Sequence, residues 1–274
     1  MRSGNPALND SVFVSSGTMS DKMTISGTVF KTYILTALLL AGFAFTWSET
    51  TQGYSASFQQ AMQAEQMDAE GKKLPTQIDL PSNVIGYAMV GCFGGFILGM
   101  MVIFNPQSAP YLSPIYAVLE GMALGAVSAG FEAKYPGIAI QAAGVTFGTL
   151  GGLLILYTTG LVKATENFAL GLLAAMFGIL AVYLLDIIFR AFGMYTPVTE
   201  LTHGNSLMSI GFSAFIVVVA ALNLVLDFDF IEDGAAKGAP KYMEWYGAFG
   251  LMVTLVWLYL EIIRLLAKIR SNDD

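Results

Sequence analysis

The sequence predicts an all-α membrane protein, a bundle of seven transmembrane helices. Of its 274 residues 55% are hydrophobic and only 12% are charged, about half the roughly 25% charge of an ordinary soluble domain. Seven separate windows are long and apolar enough to cross a hydrocarbon core of roughly 30 Å, which takes about 20 residues of helix. Runs such as 216–219 and 251–260 lack the period-two alternation of a barrel strand. Helices are therefore what satisfies the backbone in lipid. A net charge of −7 and a single cysteine exclude a basic nucleic-acid binder and a disulfide scaffold, and the high apolar content excludes a disordered chain.

The chain divides into a polar tail (1–27), one membrane domain (28–267) and a short C-terminal tail (268–274). The first span, 28–47, lies too far behind its polar tail to read as a cleaved signal peptide. Residues 48–83 follow as the longest connection. Its Gln/Met/Ala-rich part, 58–67, has two readings: an amphipathic helix, or a plain polar flexible loop. The second span, 84–104, carries Gly91, Gly95 and Gly99 at intervals of four, and Cys92 as a small packing residue. The third, 112–131, carries Gly121 and Gly125, continued by Ser128 and Ala129; the fourth, 137–157, repeats the spacing at Gly144, Gly148 and Gly152. Small residues four apart make a groove into which another helix backbone fits. These glycines are thus expected to pack helix on helix within the chain, or to form a dimer.

The fifth span, 168–189, ends with Asp186 one turn before Arg190, an i,i+4 pair suited to a membrane interface. The sixth, 207–226, closes on Asp227-Phe-Asp229-Phe-Ile-Glu232-Asp233, and the seventh, 246–266, follows Glu244 and carries Glu261 three residues before Arg264. Lysines and arginines favour the cytoplasmic side. Seven full crossings put Arg2, Lys22, Lys31, Lys163, Lys237 and Lys241 on one side, against Lys72, Lys73, Lys134, Arg190, Arg264, Lys268 and Arg270 on the other. That tally has no bias, so the last helix is expected to be unusual, with an incomplete crossing or a tail that folds back.

A carboxylate at the bilayer centre costs roughly 2.5–3.5 kcal/mol on insertion scales, which makes acids inside spans the best pointers to function. Glu120, mid-span with no basic residue within a turn, must face the interior, be neutral, or find a partner on another helix. Asp227 lies deepest in the acidic run, one turn after Asn223, and Phe228 and Phe230 keep that stretch partly in the membrane. The ion- or proton-sensing candidates are accordingly Asp227, Glu120, Glu244, Asp229 and Asp186. Oxygen ligands of this kind suit Ca²⁺, although the spacing is not an EF-hand loop, whose mid-loop glycine is missing. No enzyme is expected. His203 beside Ser206 is background in a polar linker; there is no Gly-x-Ser-x-Gly elbow, no phosphate-binding loop and no Cys/His spacing for a metal. No cofactor is expected, save Ca²⁺ as a transported ion.

The stretch AALNLVLDFDFIEDGAAKGAPKYMEWYGAFGLMVTLVWLYLEIIRLLAKIR from Ala220, with YLSPIYAVLEGMALGAVSAGFE from Tyr111, YPGIAIQAAGVTFG from Tyr135 and the opening MRSGNPAL, resembles the bacterial branch of the Bax inhibitor-1 family over nearly the whole chain. The resemblance implies a fold with the C-terminal helix central and six helices around it, in the cell (inner or plasma) membrane. Characterised relatives are pH-sensitive calcium leaks. In them an acid ending the sixth helix and another in the seventh share a proton, near a basic residue of the second helix. Asp227 matches the first by its place in LVLDFDFIE. Residues 249–254 hold no acid, and 84–104 hold no Arg or Lys, so the other two parts do not carry over. Glu120, or else Glu244, is the expected substitute partner for Asp227. Relatives are also linked to the modulation of membrane-bound proteases and to stress survival, which implies a non-transporting regulator as the competing function. The expected partners are the lipid bilayer and other membrane proteins, with the chain a monomer or weak homo-oligomer.

Overall fold

A computed structural model describes residues 22–67 and 82–273, with side chains described for residues 22–52 and 85–272. Eight α-helices follow in order: α1 (Ile25–Met67), α2 (Ser82–Phe104), α3 (Ala109–Lys134), α4 (Ile138–Thr158), α5 (Glu166–Ala191), the short α6 (Pro197–His203), α7 (Leu207–Ala236) and α8 (Met243–Asp273). All but α6 are long and apolar enough to cross a membrane. The only β-type pairing among the described residues is one bridge, Lys22 with Pro240.

Local chemistry sets the ends. Thr165, Thr196 and Ser206 cap α5, α6 and α7, each side chain accepting the N–H of the residue three positions on. α4 is capped from outside. Gly137 turns with φ 83°, and Glu132 at the end of α3 accepts the N–H groups of Gly137 (2.6 Å) and Ala139 (3.0 Å). A carboxylate at that N-terminus also meets the positive end of the helix dipole.

α8 is the axis of the bundle, as the resemblance implies. One face (Ala248, Phe249, Met252, Val256) joins α1, α2 and α3 in a core with Leu35, Val102, Tyr116 and Leu124. A second (Leu251, Leu258, Ile262, Ile263) packs with Ile138, Ala142, Ala220 and Leu224 of α4 and α7. Trp257 reaches a third cluster, between α5 and α7. α3 is buried to a similar degree, whereas α1, α2, α4, α5 and α7 turn much of their surface outward, with side chains such as Phe30, Phe96, Ile155, Leu170 and Met208 exposed. Lipid covers such a surface without the penalty that water would impose.

The structure corrects several expectations. The first helix does not give way to a loop after Trp47 but runs unbroken for 43 residues to Met67; what the side chains of 58–67 do, like the tail 1–21, lies outside the described residues. The last helix is long and apolar enough for a full crossing. Its 31 residues reach about 46 Å at 1.5 Å per residue. One end meets the start of α1 through Glu244 and Thr24 (2.9 Å), and the other meets the start of α4, where Arg270 donates to the carbonyl of Pro136 and to Gln141 Oε1 (2.9 Å each). At this far end Arg264, Lys268 and Arg270 are engaged by Glu261, Ser209 and the α4 start.

Only some of the glycine stripes pack. A Cβ at Gly121 would strike the carbonyl oxygen of Leu39, and one at Gly125 would stand 2.5 Å from that of Phe43, so this pair seats α1 on α3. Gly91 meets the Leu119 carbonyl in the same way, and Gly95 and Gly99 lie against Glu120 and Tyr116. Gly144, Gly148 and Gly152 meet nothing within 4 Å. The small side of α4 faces outward, because α4 buries its other side (Ile138, Ala142, Thr146). Cys92, too, is exposed rather than a packing residue.

Candidate functional site

α7 buries the stripe Ile216, Val219, Ala220, Leu224, Phe228 and Ile231. Asp227 lies at the edge of that stripe, where α7 meets α8. Its Oδ2 is buried and has no hydrogen-bond partner among the described residues. Before it opens a cavity of about 450 Å³, walled by Asn223 and Phe230 of α7, Met176 of α5, Ile103 of α2, and Tyr246, Gly250 and Thr254 of α8. Gly250 has no heavy atom within 4 Å of where its Cβ would stand, so the α8 wall is bare there. The Thr254 hydroxyl stands beside the Asp227 carboxyl and also reaches the Gly250 carbonyl (3.3 Å), and the Asn223 amide donates to Met176 Sδ (3.0 Å), which leaves the Asn223 carbonyl free to accept.

A buried carboxylate oxygen with no donor is costly. It is satisfied by taking a proton or by meeting a cation, and the Asn223 carbonyl and Thr254 hydroxyl are the further oxygens a hard cation such as Ca²⁺ accepts. One carboxylate with two neutral oxygens is too sparse for a tight site. Among the described residues no group of three or more His, Cys, Asp or Glu side chains is placed to hold a metal. The arrangement suits a weakly and transiently held ion.

The other candidates do not converge on Asp227. Glu120 is half-buried in the seam between α2 and α3, beside the Tyr116 hydroxyl; a Cβ on Gly95 would lie 2.9 Å from its Oε2. Between that seam and the cavity stands the edge-on pair Tyr116 and Phe249, with ring centroids 5.0 Å apart. Among the described residues no hydrogen bond or ion pair links Asp227 with Glu120 or Glu244, so neither is the substitute partner that the sequence suggests. Glu244 is fully buried and fully occupied. It pairs with Lys31 and with Lys241 (3.0 Å), and accepts both the N–H and the hydroxyl of Thr24 (2.9 Å each). Such a group clamps the start of α8 to α1 and is not free to sense protons.

Asp186 is buried at the opposite end of the bundle, and its partner is not Arg190. His203 Nε2 lies 2.9 Å from Asp186 Oδ2, and Arg190 turns to that same ring nitrogen, also at 2.9 Å. The histidine set aside as linker background therefore ties α6 to α5. Asp229 is exposed at the end of α7 near Tyr157. Outside the spans, Tyr195 donates to Glu200 Oε2 at 2.5 Å, and the carboxylate's hold on that proton raises the phenol pKa.

Sequence reasoning passed over Thr254, which lines the cavity before Asp227, and Lys31 as the counterion of Glu244. Lys31 had a signal: a lysine one turn inside an apolar span needs a partner. Glu261, read only as an i,i+3 pair, does bond Arg264 (2.7 Å), yet it is 2% exposed and also accepts from Tyr183 of α5 (3.4 Å).

A family model described as Bax inhibitor 1 like matches residues 5–271. Comparison with curated proteins and with solved structures gave no match.

Proposed function

The chain belongs to the Bax inhibitor 1 like family, and from that premise we propose that it is a leak pathway for cations, Ca²⁺ among them, controlled by Asp227. The observation that carries the reading is the unpartnered, buried Oδ2 of Asp227, facing a cavity against the central helix. The ionised carboxylate draws a cation into the cavity; the neutral acid does not. Control by protons therefore rests on one carboxylate, without a second acid to share its proton, because α8 offers Thr254 there. The role is transport across the cell membrane and not catalysis.

The test is Ca²⁺ entry into sealed vesicles holding the purified protein, with an indicator dye inside, at pH 6 and pH 8. Flux is expected to be larger at pH 8. Asp227→Asn should reduce the pH 8 flux by about tenfold and remove the dependence on acidity, while Glu244→Gln should leave that dependence in place. Equal flux for wild type and Asp227→Asn at both pH values overturns the proposal.

The absence of an acid from residues 249–254 favours a second reading, a regulator of other membrane proteins or membrane proteases. It predicts a stable partner on purification and no flux above that of empty vesicles.

A further inference from the structure

Beyond the Asp227 cavity, two other cavities lie end to end in the gap between α1 and α4. The larger, about 850 Å³, begins where α1 enters the bundle and runs between Val29 of α1 and Leu154 of α4. The second, about 300 Å³, starts one turn further along both helices and ends beside Trp47, with the α8 side chain Met252 among its walls. Both volumes fall in the roughly 300–1,000 Å³ range of ligand pockets. The second is lined almost entirely by carbon, and the first becomes polar at its mouth. Below the mouth the walls belong to membrane-spanning helices, and at the mouth the turn between α4 and α5 joins them, so the cleft lies at the depth of acyl chains and its mouth at the level of headgroups.

The mouth carries charge of both signs. Asp229 and Glu232 stand on it from α7, and Lys163 from the turn between α4 and α5. Among the described residues neither Lys163 nor Asp229 has an ion-pair partner. Glu232 accepts the Tyr157 hydroxyl on Oε2 (2.5 Å), which orients the carboxylate and leaves Oε1 for another donor. Lys163 sits just before the capped N-terminus of α5, whose partial positive charge adds to its own. An amphiphile that matches this pattern carries a cation and an anion on one short headgroup above an apolar chain.

We propose that the α1–α4 cleft binds a phospholipid with an aminophosphate headgroup, phosphatidylethanolamine in type. Its ammonium bonds Asp229 and Glu232, its phosphate faces Lys163, and one acyl chain descends between α1 and α4 towards Trp47.

The experiment is lipid retention by the full-length protein in detergent, read by native mass spectrometry, with phosphatidylethanolamine and phosphatidylglycerol of identical chains as probes. Wild type should retain the ethanolamine lipid at least fivefold better. Asp229→Asn with Glu232→Gln should bring that ratio close to one. Ala143→Trp, which fills the narrow part of the cleft, should lower retention of both lipids. A thermal melt of wild type alone gives a readout independent of variant folding: ethanolamine lipid should raise the midpoint more than the glycerol lipid does. Equal retention and equal melting shifts with the two lipids overturn the proposal, as does a ratio unmoved in a folded rim variant.

Discussion

Removing Glu244 should be the most damaging single carboxylate change in the protein. Its side chain is 0% exposed, and that of its partner Lys31 only 13%. Glu244→Ala deletes two ion pairs and two hydrogen bonds from Thr24 at once. It also leaves Lys31 nearly dry, with only the Trp245 ring, 5.6 Å from its ammonium, to face. Breaking a buried pair by removing one partner costs about 3–5 kcal/mol, mostly from the charge left behind. Lys31→Met should cost less, about 1–2 kcal/mol, because Glu244 keeps Lys241 and Thr24 and because an apolar side chain fits the site. The double variant Lys31→Met, Glu244→Ala should then be more stable than the sum of the singles by at least about 1 kcal/mol, the sign of direct coupling. Reversible unfolding in mixed micelles, followed by circular dichroism, measures all four proteins. A cost under about 0.5 kcal/mol for Glu244→Ala, or strict additivity, would refute the clamp.

The glycine stripes give a paired test. Gly121→Leu forces apart the α1 and α3 backbones and should cost about 1–3 kcal/mol, the range for overpacking; Gly148→Leu, on the open side of α4, should leave the same unfolding curve within about 0.5 kcal/mol. At the far end of the bundle, His203→Ala removes the ring nitrogen beside Asp186 Oδ2, leaving the buried carboxylate to Thr199 and Thr202, and should cost about 1–3 kcal/mol. Backbone hydrogen exchange should rise first in α6, and unchanged exchange there would show that the Asp186–His203 contact holds nothing.

Part of the candidate site was legible in the chain, because a carboxylate in an apolar run is conspicuous. Asp227 stands out by its depth beside Asn223 and Phe228, and the cavity in front of its Oδ2 agrees with that reading. Glu244 stands out by the same test and yet serves a different end. Sequence distance hides that Lys31, 213 residues away, lies against it. His203 and Asp186 are 17 residues apart across a turn, and no periodicity relates the last turn of α5 to α6.

The sequence by itself determined that seven helices are long and apolar enough to cross a membrane and roughly where each begins, since hydrocarbon thickness and the need to satisfy every backbone group leave no other arrangement. It also determined which residues are costly in lipid. Tertiary structure alone decided which cost is met by what. Gly121 and Gly148 sit in equivalent patterns, but one carries a helix backbone and the other faces outward; Asp227 and Glu244 are both carboxyl groups within the bundle, but one keeps an oxygen without a partner and the other is bound four times over. The physical reason is that the apolar surfaces of these helices are nearly interchangeable in lipid. Composition therefore cannot choose their neighbours, and close packing around α8 does.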